Sequence, residues 1–175
     1  KPSVEQMVLL EPSGMKMALG ENPKQIFGPK NRMPSTRMGI AAILRSALVE
    51  TQNYLDKWDR YEKSFLDFQG KRKAGNTEMS EPIAPERDLR WEALGKTLKR
   101  EMRARIHAHR ADDMISAIRI AEEFNLDITI EHATEGYKIA DILAEKNIPV
   151  VVGPMMIDRD KVEMRGLDPR NPGIM

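Results

Sequence analysis

The chain has no cysteine in 175 residues. Disulfides and thiolate metal clusters are therefore excluded, and a reducing, cytoplasmic setting is expected. Histidine is nearly as scarce, with three in all, and aromatic residues make up only 5%. Charge of either sign is not in excess. A formal net charge of +1 creates no field that would recruit nucleic acid or an anionic membrane, so neither is expected as a partner. No apolar run approaches the roughly 20 residues needed to span a bilayer. The opening "KPSVEQMVLL" has neither the charge pattern nor the apolar block of a signal peptide. It also lacks an initiator methionine, which leads us to expect a processed chain or a piece of a longer one. The length suits one core and one domain over 1–175.

What is present falls into two styles. "MKMAL" at 15–19 predicts a strand, ended by the breaker-rich "GENPK". A long helix is expected from Met38 towards Phe68, with an approximate stripe of Ile40, Leu44, Leu48, Leu55 and Trp58. Its second half carries charges at i,i+4 spacing and is expected to project. Residues 70–86 predict a loop and 87–102 a short helix, so about 50–100 forms a helical and loop insertion. From 104 the pattern becomes regular: strand 104–109, helix 112–125, strand 127–132, helix 135–147, strand 148–154. Strands alternating with helices at this spacing predict a parallel sheet with right-handed crossovers. The tail "MRGLDPRNPGIM" shows no element by pattern.

All three histidines fall in the regular part. His109 ends one predicted strand and His132 the next, 23 residues later, close to the period of a (β/α) barrel. Function in parallel α/β sheets gathers at the C-terminal ends of strands. Adjacent strands lie about 4.8 Å apart, so two imidazoles at equal height can serve one ion. His107 shares the parity of His109 and faces the same side. Three roles stay open for it: a deeper ligand, a partner supporting a ligand, or packing. Asp112 and Asp113 open a helix, where carboxylates cap free N–H groups. Asp112 is equally able to orient a ligating histidine. Glu131 precedes His132 and is expected on the opposite face, packing against a helix. Thr134 is expected to cap the next helix.

"IHAHRADD" followed by "EHATEG", with "GMKMALGENPK" and "STRMGIAAILRSAL" upstream, resembles the amidohydrolase superfamily of metal-dependent (β/α)₈ hydrolases, in particular its imidazolonepropionase-related branch. The resemblance covers most of the chain outside about 50–100. It implies a partial TIM barrel, strands four to seven, about half a barrel with a long helical insertion. It implies His109 and His132 as ligands to zinc or another divalent metal. It also implies a strand-four ligand: Lys16 as a metal-bridging carbamate with a catalytic role, or Glu21 in its place. Two parts of the family pattern have no counterpart, the upstream His-x-His and the strand-eight aspartate. Asp158, Asp160 and Asp168 lie in a segment that does not read as that last strand.

The resemblance thus implies a piece of an enzyme that hydrolyses an amide or cyclic amide C–N bond, other than a peptide bond, with metal-activated water and a small-molecule substrate. Alone, the chain is expected to be inactive and to hold metal weakly or not at all, with Lys16 unmodified. Its open strand edges and an uncovered apolar barrel interior imply association with a second copy, a homo-oligomer. Two alternatives stay beside this reading: a noncatalytic binding or regulatory module on the same scaffold, and a metal-dependent, prolidase-like dipeptidase. No G-x-G-x-x-G follows any strand, which argues against a dinucleotide-binding domain.

Overall fold

A computed structural model describes residues 3–75, 80–155 and 161–175. After a short helix, α1 (Val4–Met7), strand β1 (Met15–Ala18) runs into helix α2 (Glu21–Phe27). Helix α3 (Arg37–Lys73) starts at Thr36, whose Oγ1 accepts from the Gly39 N–H at 3.0 Å. Helix α4 (Leu89–Leu98) starts at Asp88, which accepts from the Arg90 N–H. The regular part follows: β2 (Ala104–Ala108), α5 (Ala111–Glu123), β3 (Ile128–His132), α6 (Ala140–Glu145) and β4 (Val150–Val152). The last described helix is α7 (Asn171–Ile174).

The four strands form one parallel sheet in the order β1-β2-β3-β4. This is the parallel sheet that the strand–helix alternation predicts and the partial (β/α) barrel that the resemblance implies. Register sets the core. Met17 pairs with Ile106, Ile106 with Ile130, and Ile130 with Val150. These side chains pack with Ile40 and Leu48 of α3 and with Met114 and Ile118 of α5 in one apolar cluster. The amphipathic helices thus cover one face of the sheet.

The other face is charged. Lys16, on β1, and Arg105, on β2, both ion-pair with Glu131, on β3. Arg103, just before β2, pairs with Asp127. An apolar interior was the expected driving force for association, but the described residues line this face with ion pairs instead. The reason is register: Lys16 aligns with Arg105, and Glu131 with His107, which puts Glu131 on the face away from the helices. Its expected role in helix packing is corrected accordingly.

Two other departures concern helices. Helix α3 continues through Gly70 to Lys73. A glycine inside a helix costs only about 1 kcal/mol, and an aromatic stripe runs along this one up to Phe68. Tyr54, Trp58, Tyr61, Phe65 and Phe68 follow each other with ring centroids 5.7 to 6.4 Å apart. The helix expected over 135–147 is split into a 3-10 turn, Gly136–Lys138, and α6. Asn171 is the cause: its Oδ1 accepts from the Tyr137 N–H at 2.9 Å, and its Nδ2 donates to the Ala133 carbonyl at 2.8 Å. The same two bonds dock the tail, which has no pattern of its own, onto the loop after β3. Among the described residues no helix is long and apolar enough to cross a membrane.

One buried ion pair ties α3 to α5. The Arg37 Nε donates to both oxygens of Asp113, at 3.0 and 3.1 Å, and the aspartate side chain is only 4% exposed. Arg37→Ala leaves that carboxylate buried without its partner and is expected to cost about 3–5 kcal/mol at pH 7. Burial already pushes the Asp113 carboxyl up, against the pull of Arg37. The folded state therefore holds this proton more tightly than the unfolded state, and stability falls as pH rises through the carboxylate range. Without Arg37 the upward push is stronger, so the penalty is expected to be smaller near pH 4 than at pH 7. Urea melts at the two pH values check this.

Candidate metal centre

The sheet delivers its histidines to one point. His109 is the first residue after β2, and His132 is the last of β3. Strand alternation alone would send His132 to the helix side, as the neighbour of Glu131. Instead His132 adopts a left-handed backbone with φ 77, and Ala133 follows at φ 39. The turn brings the His132 ring to 4.5 Å from His107 and 4.8 Å from His109, centroid to centroid, and His107 and His109 are 4.7 Å apart. One ring nitrogen from each of the three lies within 4.8 Å of the others, a spacing able to hold a metal ion.

Hydrogen bonds sort the three rings. The His132 Nδ1 lies 2.8 Å from the Gly153 carbonyl. A carbonyl only accepts, so Nδ1 carries the proton and Nε2 keeps its lone pair. The His109 Nδ1 lies 2.7 Å from the Thr134 Oγ1, and assigning the proton to Nδ1 there frees Nε2 in the same way. His107 differs. Its Nε2 lies 3.1 Å from the Asn22 Nδ2, while the Asn22 Oδ1 accepts from Lys161 at 2.6 Å. The lysine fixes the amide with its NH₂ toward the imidazole, so the Nε2 lone pair of His107 is engaged. The two rings with a free Nε2 are His109 and His132.

Both are neutral at pH 7. Burial, with the neighbouring His107, His132 and Lys161 adding to it, pushes His109 down to about 4 against the opposing Glu163 carboxylate. Burial also lowers His132, against the opposing Gly153 carbonyl. Neutral imidazole is the form that binds a metal.

One residue at this centre has no signal in the sequence. Glu163 lies in a 3-10 turn, Val162–Met164, with its side chain fully buried. Its Oε2 accepts from the Glu21 N–H at 2.8 Å. Its Oε1 is 3.8 Å from both the His107 Nε2 and the His109 Nε2, and accepts no hydrogen bond among the described residues. Burial pushes this carboxyl up, but His107, the Glu21 N–H and His109 outweigh it and hold it below the ordinary range. A buried anion with an oxygen unpartnered among the described residues, beside the free His109 Nε2, suits a divalent cation. By this donor chemistry the residues present fit a metal ion.

The remaining candidates stand elsewhere. The Lys16 Nζ donates to the Glu131 Oε2 at 2.9 Å. The Glu21 carboxylate accepts from Gln25, and it is the Glu21 backbone N–H that serves the centre. Asp112 is half exposed and forked to Arg110, so the orienting partner of His109 is Thr134, not Asp112. Thr134 consequently does not cap the next helix. Asp168 is forked to Arg170, which holds its carboxyl down at about 2. Asp158 and Asp160 lie outside the described residues.

No protein-family model matches the chain. It is 32% identical over 130 residues, 74% of its length, to the amidohydrolase tasK of Hapsidospora irregularis. The crystal structure of an amidohydrolase from Thermotoga maritima MSB8 superposes with a TM-score of 0.86 at 41% identity, covering 98% of the chain. The chain spans 12% of the first relative and 41% of the second. Both of these similar proteins are named amidohydrolases.

Proposed function

We propose that the chain forms part of a metal-dependent amidohydrolase, with a divalent ion, zinc in the first instance, held by the Nε2 atoms of His109 and His132. The observation that carries this reading is the pair of free Nε2 atoms on rings 4.8 Å apart at the ends of adjacent parallel strands. The reaction class is hydrolysis of an amide or cyclic amide C–N bond in a small molecule. A bound divalent ion supplies Lewis acidity toward a carbonyl and acidifies water.

The chain's own residues supply the frame. Thr134 and the Gly153 carbonyl hold the two imidazoles in their tautomers, a role whose loss typically weakens metal affinity about 10–100-fold. Lys161 and Asn22 hold His107 as the wall on which both rings rest. The Glu163 carboxylate offsets positive charge in a buried place. A general base for water is not assigned among the described residues, and the chain spans 41% of its structural relative. In this reading other segments complete the active site, and the 175 residues alone have no turnover.

The test is hydrolysis of N-acyl amino acids and cyclic amides by the longest open reading frame that contains this sequence. Turnover is expected to vanish on chelation, to return with zinc, and to be lost in His132→Ala. Turnover unaffected by both the chelator and the substitution would overturn the reading.

A further inference from the structure

The Glu163 carboxylate is harder to explain than the histidines. A buried carboxylate oxygen without a hydrogen bond is costly, and each such group in a folded protein calls for a partner. The fold invests in keeping this one in place. The Glu21 N–H, at the start of α2, holds its other oxygen. Gly20 approaches so closely that a Cβ there would lie 2.3 Å from the Glu163 Oε2. Oε1 is thereby aimed between the His107 and His109 Nε2 atoms, 3.8 Å from each. At that distance, and with both Nε2 atoms unprotonated, neither ring donates a hydrogen bond to it. Atoms ligating one tetrahedral zinc at about 2.0–2.1 Å lie roughly 3.3 Å apart. A contraction of about half an ångström would bring the Glu163 Oε1 and His109 Nε2 to that spacing.

We infer that Glu163 is itself a metal ligand, through Oε1, completing a set of two imidazoles and one carboxylate with His109 and His132. This deepens the amidohydrolase reading and rests on it. Two histidines and a glutamate are a donor set that catalytic zinc sites use, and three protein ligands leave a position for water. It also accounts for His107, whose Nε2 is already engaged by Asn22 and which is not needed as a ligand.

Titration of the purified chain with cobalt(II) alone, followed by visible absorption and calorimetry, tests the assignment. The wild type is expected to bind one equivalent and His132→Ala none. Glu163→Gln, nearly isosteric and still able to accept from the Glu21 N–H, is expected to bind more than about 100-fold more weakly, with a changed d–d spectrum. Glu163→Asp, which keeps the charge, is expected to recover part of the affinity. Circular dichroism and thermal melts establish that each variant is folded. Should Glu163→Gln not fold, the Glu163→Asp spectrum decides, because moving a ligating oxygen changes it. A folded Glu163→Gln that binds within about 100-fold of wild type with an unchanged spectrum overturns the ligand assignment and leaves the histidine reading intact. A wild type that binds no cobalt overturns the ligand assignment, while the amidohydrolase reading is decided separately by chelation of the longer reading frame.

Discussion

Replacing His109 or His132 by alanine is expected to abolish zinc binding by the chain, with affinity falling by well over 100-fold, while His107→Ala costs about 10–100-fold. The difference follows from the hydrogen bonds. His109 and His132 spend Nδ1 on Thr134 and Gly153 and keep Nε2 free, whereas the His107 Nε2 faces the Asn22 amide. Removing His109 or His132 removes a donor atom. Removing His107 leaves the donors but takes away the ring that wedges them, 4.7 Å from one and 4.5 Å from the other. Equilibrium dialysis against buffered zinc, with metal analysis of each variant, measures the three losses. Equal losses for all three would place His107 among the ligands.

Gly20→Ala is expected to destabilise the chain by about 3–5 kcal/mol and to weaken metal binding in the same variant. Gly20 has φ 78 and ψ −141, close to a region that only glycine occupies readily, and a side chain there costs about 1–3 kcal/mol. The added Cβ would also meet the Glu163 Oε2 at 2.3 Å, which must move and give up the Glu21 N–H. A hydrogen bond to a charged group is worth about 1.5–3 kcal/mol. The two effects fall on one residue, and a drop in melting temperature of roughly 10 °C is expected for a chain of this size. A drop of only a degree or two, with unchanged zinc affinity, would show that Glu163 is not held where it is described.

The parallel sheet was legible because each β/α unit carries its own local signal. Ile118 and Leu143 lie on helical stripes, Ile128 and Ile130 alternate along a strand, and both patterns survive in the fold. The histidine pair was legible for the same reason, since strand ends are periodic. Glu163 was not. It sits among polar residues without periodicity, 31 positions after His132, and only the docking of the tail through Asn171 and the 3-10 turn brings it under the sheet's end. Alternation also misled at one point: Glu131 and His132 do occupy opposite sides of an ideal strand, but the left-handed turn at His132 returns its ring to the face of Glu131. The roles of Thr134 and Asn22 depend on partners 25 and 85 residues away, beyond the reach of any local pattern.

The most direct measurement is a long-range ¹H–¹⁵N correlation spectrum of the three imidazoles, recorded at pH 7 before and after one equivalent of zinc. The account predicts His109 and His132 as Nδ1–H tautomers whose Nε2 resonances shift together on zinc addition, with a smaller change at His107. Spectra in which zinc leaves the His109 and His132 Nε2 resonances unmoved, or in which His107 alone responds, would contradict it.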